Sequence, residues 1–119
     1  MKNNKIYDLK KRSFVFSLDV IGFLKSLERN YISQVIANQL LRSATSIGAN
    51  IAEAYASSSK KDFANFYNTA LKSANETRYW LALLECAKLV GKSKISKLQD
   101  EVEELAKILA KSLITIRNK

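Results

Sequence analysis

The chain contains no histidine, which removes the side chain most often used as a general base and as a metal ligand. Its single cysteine, Cys86, can neither close an internal disulfide nor assemble a zinc site. Cys86 sits in the apolar run 83–87 and reads as a packed thiol rather than a nucleophile. Proline is absent and glycine occurs only at 22, 48 and 91, so almost nothing can interrupt a helix. There is no Gly-x-Gly-x-x-Gly and no Walker lysine motif. Without histidine the Glu-x-x-His pairs of di-iron bundles are also missing. Glu101, Glu103 and Glu104 follow one another too closely to converge from a helix, and read as a solvated face. Glu53 and Glu76, placed on inner faces, leave a carboxylate-only site as the remaining alternative. These absences argue against an enzyme and imply no cofactor and no metal. No apolar run approaches the ~20 residues of a membrane span. The best stretch, 79–90, is interrupted by Glu85 and Lys88. The basic segment 1–12 leads into no signal-type apolar segment. The expectation is a cytoplasmic protein with no membrane association.

What is present is hydrophobicity and positive charge. The 119 residues are 47% hydrophobic, enough for one domain with its own core. The formal net charge is +9, which favours anionic partners, with RNA or another nucleic acid first. Residues 1–12 hold Lys2, Lys5, Lys10, Lys11 and Arg12 against Asp8 alone. Residues 88–97 hold Lys88, Lys92, Lys94 and Lys97 with no acid. Lys60 and Lys61 follow three serines at 57–59. The alternative is that these lysines only solubilise the protein.

Periodicity predicts four helices, at about 8–29, 33–56, 60–90 and 93–116. In the first, Phe16, Val20, Phe23, Leu24 and Leu27 form a three–four apolar stripe, with Asp8 as the N-cap. Ser33 is the expected cap of the second. Its interior glycine, Gly48, costs about 1 kcal/mol relative to alanine and predicts a close backbone approach. Ser59, with Asp62 three residues on, predicts a capping-box start to the third helix. Its inner face carries Phe63, Phe66, Tyr67, Ala70, Ala74, Thr77, Leu81 and Leu84. Gly91 is expected to stop it in the left-handed conformation. The fourth helix repeats Ile95, Leu98, Val102, Leu105, Leu109, Leu113 and Ile116, and its acids precede its bases as the helix dipole prefers. Short connections make successive helices antiparallel, so the expected fold is all-α, an up-down-up-down four-helix bundle in a single domain.

Within 39–53 a polar stripe of Arg42, Ser43, Ser46, Asn50 and Glu53 recurs at helical spacing beside Leu40, Ile47 and Ile51. Centring the turn between helices two and three near Ser59 places Arg42 opposite Glu76 and Asn50 opposite Asn68. The expectation is a partly buried Arg42–Glu76 ion pair, with Ser46, Asn50, Glu53 and Thr77 in the same polar network. The alternative is that Arg42 and Glu76 contact a ligand. Phe63, Phe66, Tyr67, Tyr79 and Trp80 read as core or subunit contacts, and Tyr55 as the best exposed aromatic beside basic charge.

The block Arg42-Ser43-Ala44-Thr45-Ser46-Ile47-Gly48-Ala49-Asn50-Ile51-Ala52-Glu53-Ala54 resembles the signature of small bacterial proteins encoded in intervening sequences of 23S ribosomal RNA genes, also called S23 ribosomal proteins. Tyr7-Asp8-Leu9, Arg12-Ser13-Phe14, Ser59-Lys60-Lys61-Asp62-Phe63, Ala70-Leu71-Lys72-Ser73-Ala74-Asn75-Glu76-Thr77 and Tyr79-Trp80-Leu81 extend the similarity over nearly the whole chain. The resemblance implies a four-helix bundle that assembles as a homopentamer. It also implies kinship with the basic pentameric accessory protein of diversity-generating retroelements, which binds a reverse transcriptase and nucleic acid. The expectation is a non-enzymatic, oligomeric, basic bundle that binds RNA or a ribonucleoprotein. Its candidate contacts are Lys10, Lys11, Arg12, Lys60, Lys61, Lys88, Lys92, Lys94 and Lys97. The competing reading is a protein-docking scaffold, such as an accessory ring for a reverse transcriptase.

Overall fold

Four amphipathic helices account for the chain: α1 (Lys5–Lys25), α2 (Tyr31–Ala56), α3 (Lys60–Cys86) and α4 (Lys92–Arg117). The computed structural model describes the backbone of residues 5–118 and the side chains of residues 9–118. The side chains of Lys2, Lys5 and Asp8 lie outside that description. Each helix packs on its neighbours in sequence, and α4 closes back on α1. Cross-helix contacts run in opposite directions along successive pairs: Lys10 with Tyr55, Ser43 with Thr77, and Arg78 with Glu103. The topology is therefore the expected antiparallel bundle, 47 Å in its longest dimension.

The apolar stripes meet along the axis. Leu9, Phe16 and Val20 of α1 are buried with Leu40, Ile47 and Ile51 of α2, Tyr67, Leu81 and Leu84 of α3, and Val102, Leu105 and Leu109 of α4. Each such large apolar side chain stabilises the fold by about 1.5–3 kcal/mol. Phe23 and Leu24 lie at the margin, partly buried against this core.

The helix ends differ from expectation in instructive ways. α1 ends at Lys25 rather than 29, and Asp8 lies inside it rather than at its cap. The N-cap of α2 is Asn30, not Ser33. Asn30 Oδ1 accepts from the Ser33 N–H at 2.9 Å, and the Ser33 hydroxyl accepts from the Asn30 N–H at 3.1 Å. Ser33 is thus the reciprocal half of a capping box. Ser59 does cap α3, its hydroxyl accepting from the Asp62 N–H at 3.0 Å.

α3 ends at Cys86, where the thiol is exposed rather than packed. The left-handed residue after it is Lys88, with φ 60°, and not Gly91. The Leu89 N–H bonds the Leu84 carbonyl and the Lys88 N–H bonds that of Glu85, the paired bonds of a Schellman stop. Gly91 instead starts α4 in an extended conformation, with no side-chain cap. Because α4 begins at Lys92, its first turn carries Lys92 and Lys94 and no acid. Asp100, Glu101, Glu103 and Glu104 stand two or more turns in, beyond the reach of the dipole.

The close backbone approach expected at Gly48 is made by Ser13 of α1. A Cβ on Gly48 would lie 3.4 Å from both the carbonyl and the hydroxyl oxygen of Ser13.

Candidate nucleic-acid interface

The polar stripe of α2 divides between an exposed edge and a buried seam. At the edge, Arg42 Nη2 meets Glu76 Oε2 at 2.8 Å and also donates to Gln39 Oε1 at 3.0 Å. Trp80 Nε1 donates to the same Glu76 oxygen at 3.1 Å. The Arg42 side chain is 64% exposed and that of Glu76 is 38% exposed. The expected pair exists, but it is a surface pair rather than a partly buried one. Glu53 is exposed and stands apart from the network.

The seam consists of hydroxyls and one amide, buried at Ser43 and Thr77 and half-buried at Ser46, Asn50 and Ser73. Ser43 and Thr77 share a hydrogen bond at 2.9 Å in the core. Ser73 Oγ donates to Ser46 Oγ at 3.0 Å, and Asn50 Nδ2 donates to both the carbonyl and the hydroxyl oxygen of Ser46. Asn50 therefore bonds within α2 and not to Asn68. Among the described residues no buried side-chain oxygen or nitrogen lacks a partner. The seam fixes how α2 meets α3 and offers no open site to a ligand. Ser73, which completes it, lies one turn before Thr77 on α3, and that spacing was the signal for it.

Three arginines, Arg12, Arg42 and Arg78, clasp acids along the middle of the bundle, while Arg29 and Arg117 lie exposed near its ends. Arg12 forms a bidentate bridge to Glu101, Nε at 3.0 Å and Nη2 at 2.8 Å, tying α1 to α4. Arg78 meets Glu103 at 3.1 Å, tying α3 to α4. Arg12 is thus a clasp between helices rather than a free phosphate contact. The candidate lysines lie instead at the two ends and all are exposed, while Lys72, Lys107 and Lys111 are exposed between them.

At one end, Lys60 and Lys61 open α3, and Lys10 lies 5.5 Å over the Tyr55 ring. Tyr55 is half-buried, its hydroxyl 3.4 Å from that of the fully buried Tyr67, so it is not an open stacking surface. Burial drives the Tyr67 phenol far above its ordinary range. Burial also raises Tyr55, against the opposing hydrogen bond from Tyr67. An open cleft of about 490 Å³ lies beside them, lined by Ser57, Ser59, Lys60, Phe63, Thr115 and Ile116.

At the other end stand Lys88, Lys92, Lys94 and Lys97. Lys92 reaches Glu85 at 3.5 Å while remaining 80% exposed. The Gln99 amide, donating at 3.0 Å, and then Lys92 hold the Glu85 carboxyl below its usual range. The other three have no ion pair among the described residues. That set also contains no group of three metal-capable side chains. None of the described helices is long and apolar enough to cross a membrane.

A second surface carries almost no charge. Between residues 13 and 24 the only charged side chain is Asp19, and between 30 and 52 it is Arg42. On the outer faces of α1 and α2, Phe14 (65%), Leu18 (52%), Ile21, Tyr31 (83%), Val35 and Leu41 are exposed. Sequence reasoning did not single these residues out, although α1 carries apolar residues on more than one face. Tyr79, expected in a core or subunit contact, is also exposed.

Residues 5–111 match the family described as 23S rRNA-intervening sequence protein. A crystal structure of a protein of unknown function from the S23 ribosomal protein family of Bacteroides thetaiotaomicron VPI-5482 superposes with a TM-score of 0.84. It is 36% identical, over 92% of this chain and 98% of that one. No curated protein matches the chain.

Proposed function

Because the chain belongs to the 23S rRNA-intervening sequence protein family, we propose that it is a non-enzymatic, oligomeric bundle that binds RNA through phosphate contacts. The observation that carries this reading is the clustering of exposed cations at the two ends. Arg12, Arg42 and Arg78 pair with acids at the waist, while Lys10, Lys11, Lys60 and Lys61 stand exposed at one end and Lys88, Lys92, Lys94 and Lys97 at the other. Flexible, exposed ammonium groups neutralise phosphates as point charges and do not read base edges. The missing histidines and the lack of a metal-capable cluster among the described residues support the non-enzymatic part.

The largely apolar α1–α2 face supports self-assembly, with the homopentamer implied by family resemblance as the expected form. An exposed helix face of this kind is characteristic of an interface. The same face favours one other reading, a scaffold that docks another protein such as a reverse transcriptase. A reverse-transcriptase gene beside this one supports that scaffold; a reading frame lying within a 23S gene supports the RNA role.

Fluorescence anisotropy with a structured ribosomal RNA fragment and a mixed-sequence control, at low and at physiological salt, tests the proposal. Binding should weaken steeply with salt, with a log–log slope of about −0.9 per phosphate contacted in duplex RNA, taking the value for duplex DNA. Absence of binding at low salt overturns the RNA reading.

A further inference from the structure

We propose that each subunit carries two separate phosphate-backbone sites, one at each end of the bundle, so that one subunit holds two RNA segments facing opposite ways. This rests on the RNA-binding reading above and goes beyond it in the number and placement of sites.

The charge distribution is bipolar. One end presents Lys10, Lys11, Lys60, Lys61 and Arg117, with Glu53 and Asp62 the acids nearby. The cleft shared by the α2–α3 turn, Thr115 and Ile116 puts the end of α4 on this same surface. The opposite end presents Lys25, Arg29, Lys88, Lys92, Lys94 and Lys97, with Glu28 and the already engaged Glu85. Between them Glu76, Glu101 and Glu103 are neutralised by arginines, and the exposed Asp19, Asp100 and Glu104 offset the exposed Lys72, Lys107 and Lys111. The waist is therefore close to neutral, in contrast to the two ends.

Distance makes the interruption decisive. The 27 residues of α3 separate the ends by roughly 40 Å at 1.5 Å per residue. The screening length at physiological salt is about 8 Å, so neither end feels the other's field. A single polyanion site would need a continuous positive track along the bundle, and the acids of α4 stand in its way.

The test is the saturating amount of a short labelled RNA hairpin on the full-length protein at low salt. Two double variants are compared, Lys60→Glu with Lys61→Glu and Lys94→Glu with Lys97→Glu. Lys60, Lys61 and Lys94 lie in the first turns of their helices, where a carboxylate suits the dipole. Circular dichroism and sedimentation should therefore match the unaltered protein. Either double variant should halve the RNA bound at saturation, and the combined quadruple variant should abolish binding. If one pair abolishes binding and the other changes nothing, the protein has one site and the proposal fails. If each pair weakens affinity without changing the saturating amount, the surface is continuous and the proposal fails. If the unaltered protein binds no RNA at all, the RNA-binding reading itself has failed, which is a separate result.

Discussion

Thr77 and Arg42 make the sharpest contrast among single residues. Both bond across α2 and α3, but Thr77 is buried while Arg42 is 64% exposed at its side chain. Removing the Thr77 hydroxyl loses its bonds to the buried Ser43 hydroxyl and to the Ser73 carbonyl, at about 1–2 kcal/mol, although Ser43 keeps its bond to the Leu40 carbonyl. An exposed ion pair contributes about 1 kcal/mol or less. Thr77→Val should therefore lower the urea midpoint clearly, and Glu76→Gln should barely move it. Equal losses would mean that the ion pair is far better shielded than its exposure indicates. Tyr67 gives a second test at this scale. Its ionisation is suppressed in the fold by burial, so the folded state keeps its proton where the unfolded chain loses it. The stabilisation is complete below the ordinary tyrosine range near pH 10 and declines as pH rises above it. Thermal melts should fall above about pH 10, and less steeply in Tyr67→Phe. Parallel decline in both proteins would assign the alkaline loss to other groups. The Arg42–Glu76 pairing was legible in the sequence because it follows from helix spacing and one turn position. Its exposure was not, because that depends on how far the α2 and α3 faces are rotated.

Among the elements, the α3–α4 junction is the least economical. A lysine occupies the left-handed position of the Schellman stop, where glycine is usual. Lys88→Gly should stabilise the protein by about 0.5–1 kcal/mol, since the left-handed penalty for a side chain exceeds the added chain entropy of glycine. A higher urea midpoint checks this, and a lower one would show that the Lys88 side chain makes a stabilising contact. The same junction explains where boundary reading failed. Residues 86–90 have helix-compatible propensities, so nothing local ends α3 at Cys86. The stop is decided by the Leu89 and Lys88 N–H groups bonding back to Leu84 and Glu85. Gly91, the conspicuous local signal, serves the next helix instead. At the start of α2, Asn30 and Ser33 compete for the cap, and Asn30 wins while Ser33 reciprocates.

Across the whole molecule, the largely apolar α1–α2 face should govern assembly. Leu18 is 52% exposed on it. Leu18→Glu places a charge on the face proposed to join subunits, and sedimentation should shift from an oligomer to smaller species with the helical signal unchanged. An unaltered protein that sediments as a monomer would remove self-assembly from the functional proposal. The sequence alone determined the number of helices, their antiparallel order, the inward stripes and the α2–α3 register. These depend on periodicity and short connections, which are local. Only the tertiary structure decided that Arg12 clasps Glu101, 89 positions away, and so leaves the set of candidate phosphate contacts. It also decided that Phe14, Leu18 and Ile21 face outward and that exposed cations cluster at the two ends of a bundle whose waist is close to neutral. Those outcomes depend on which helix faces meet and at what level along the bundle. Residue spacing within one helix carries no record of either.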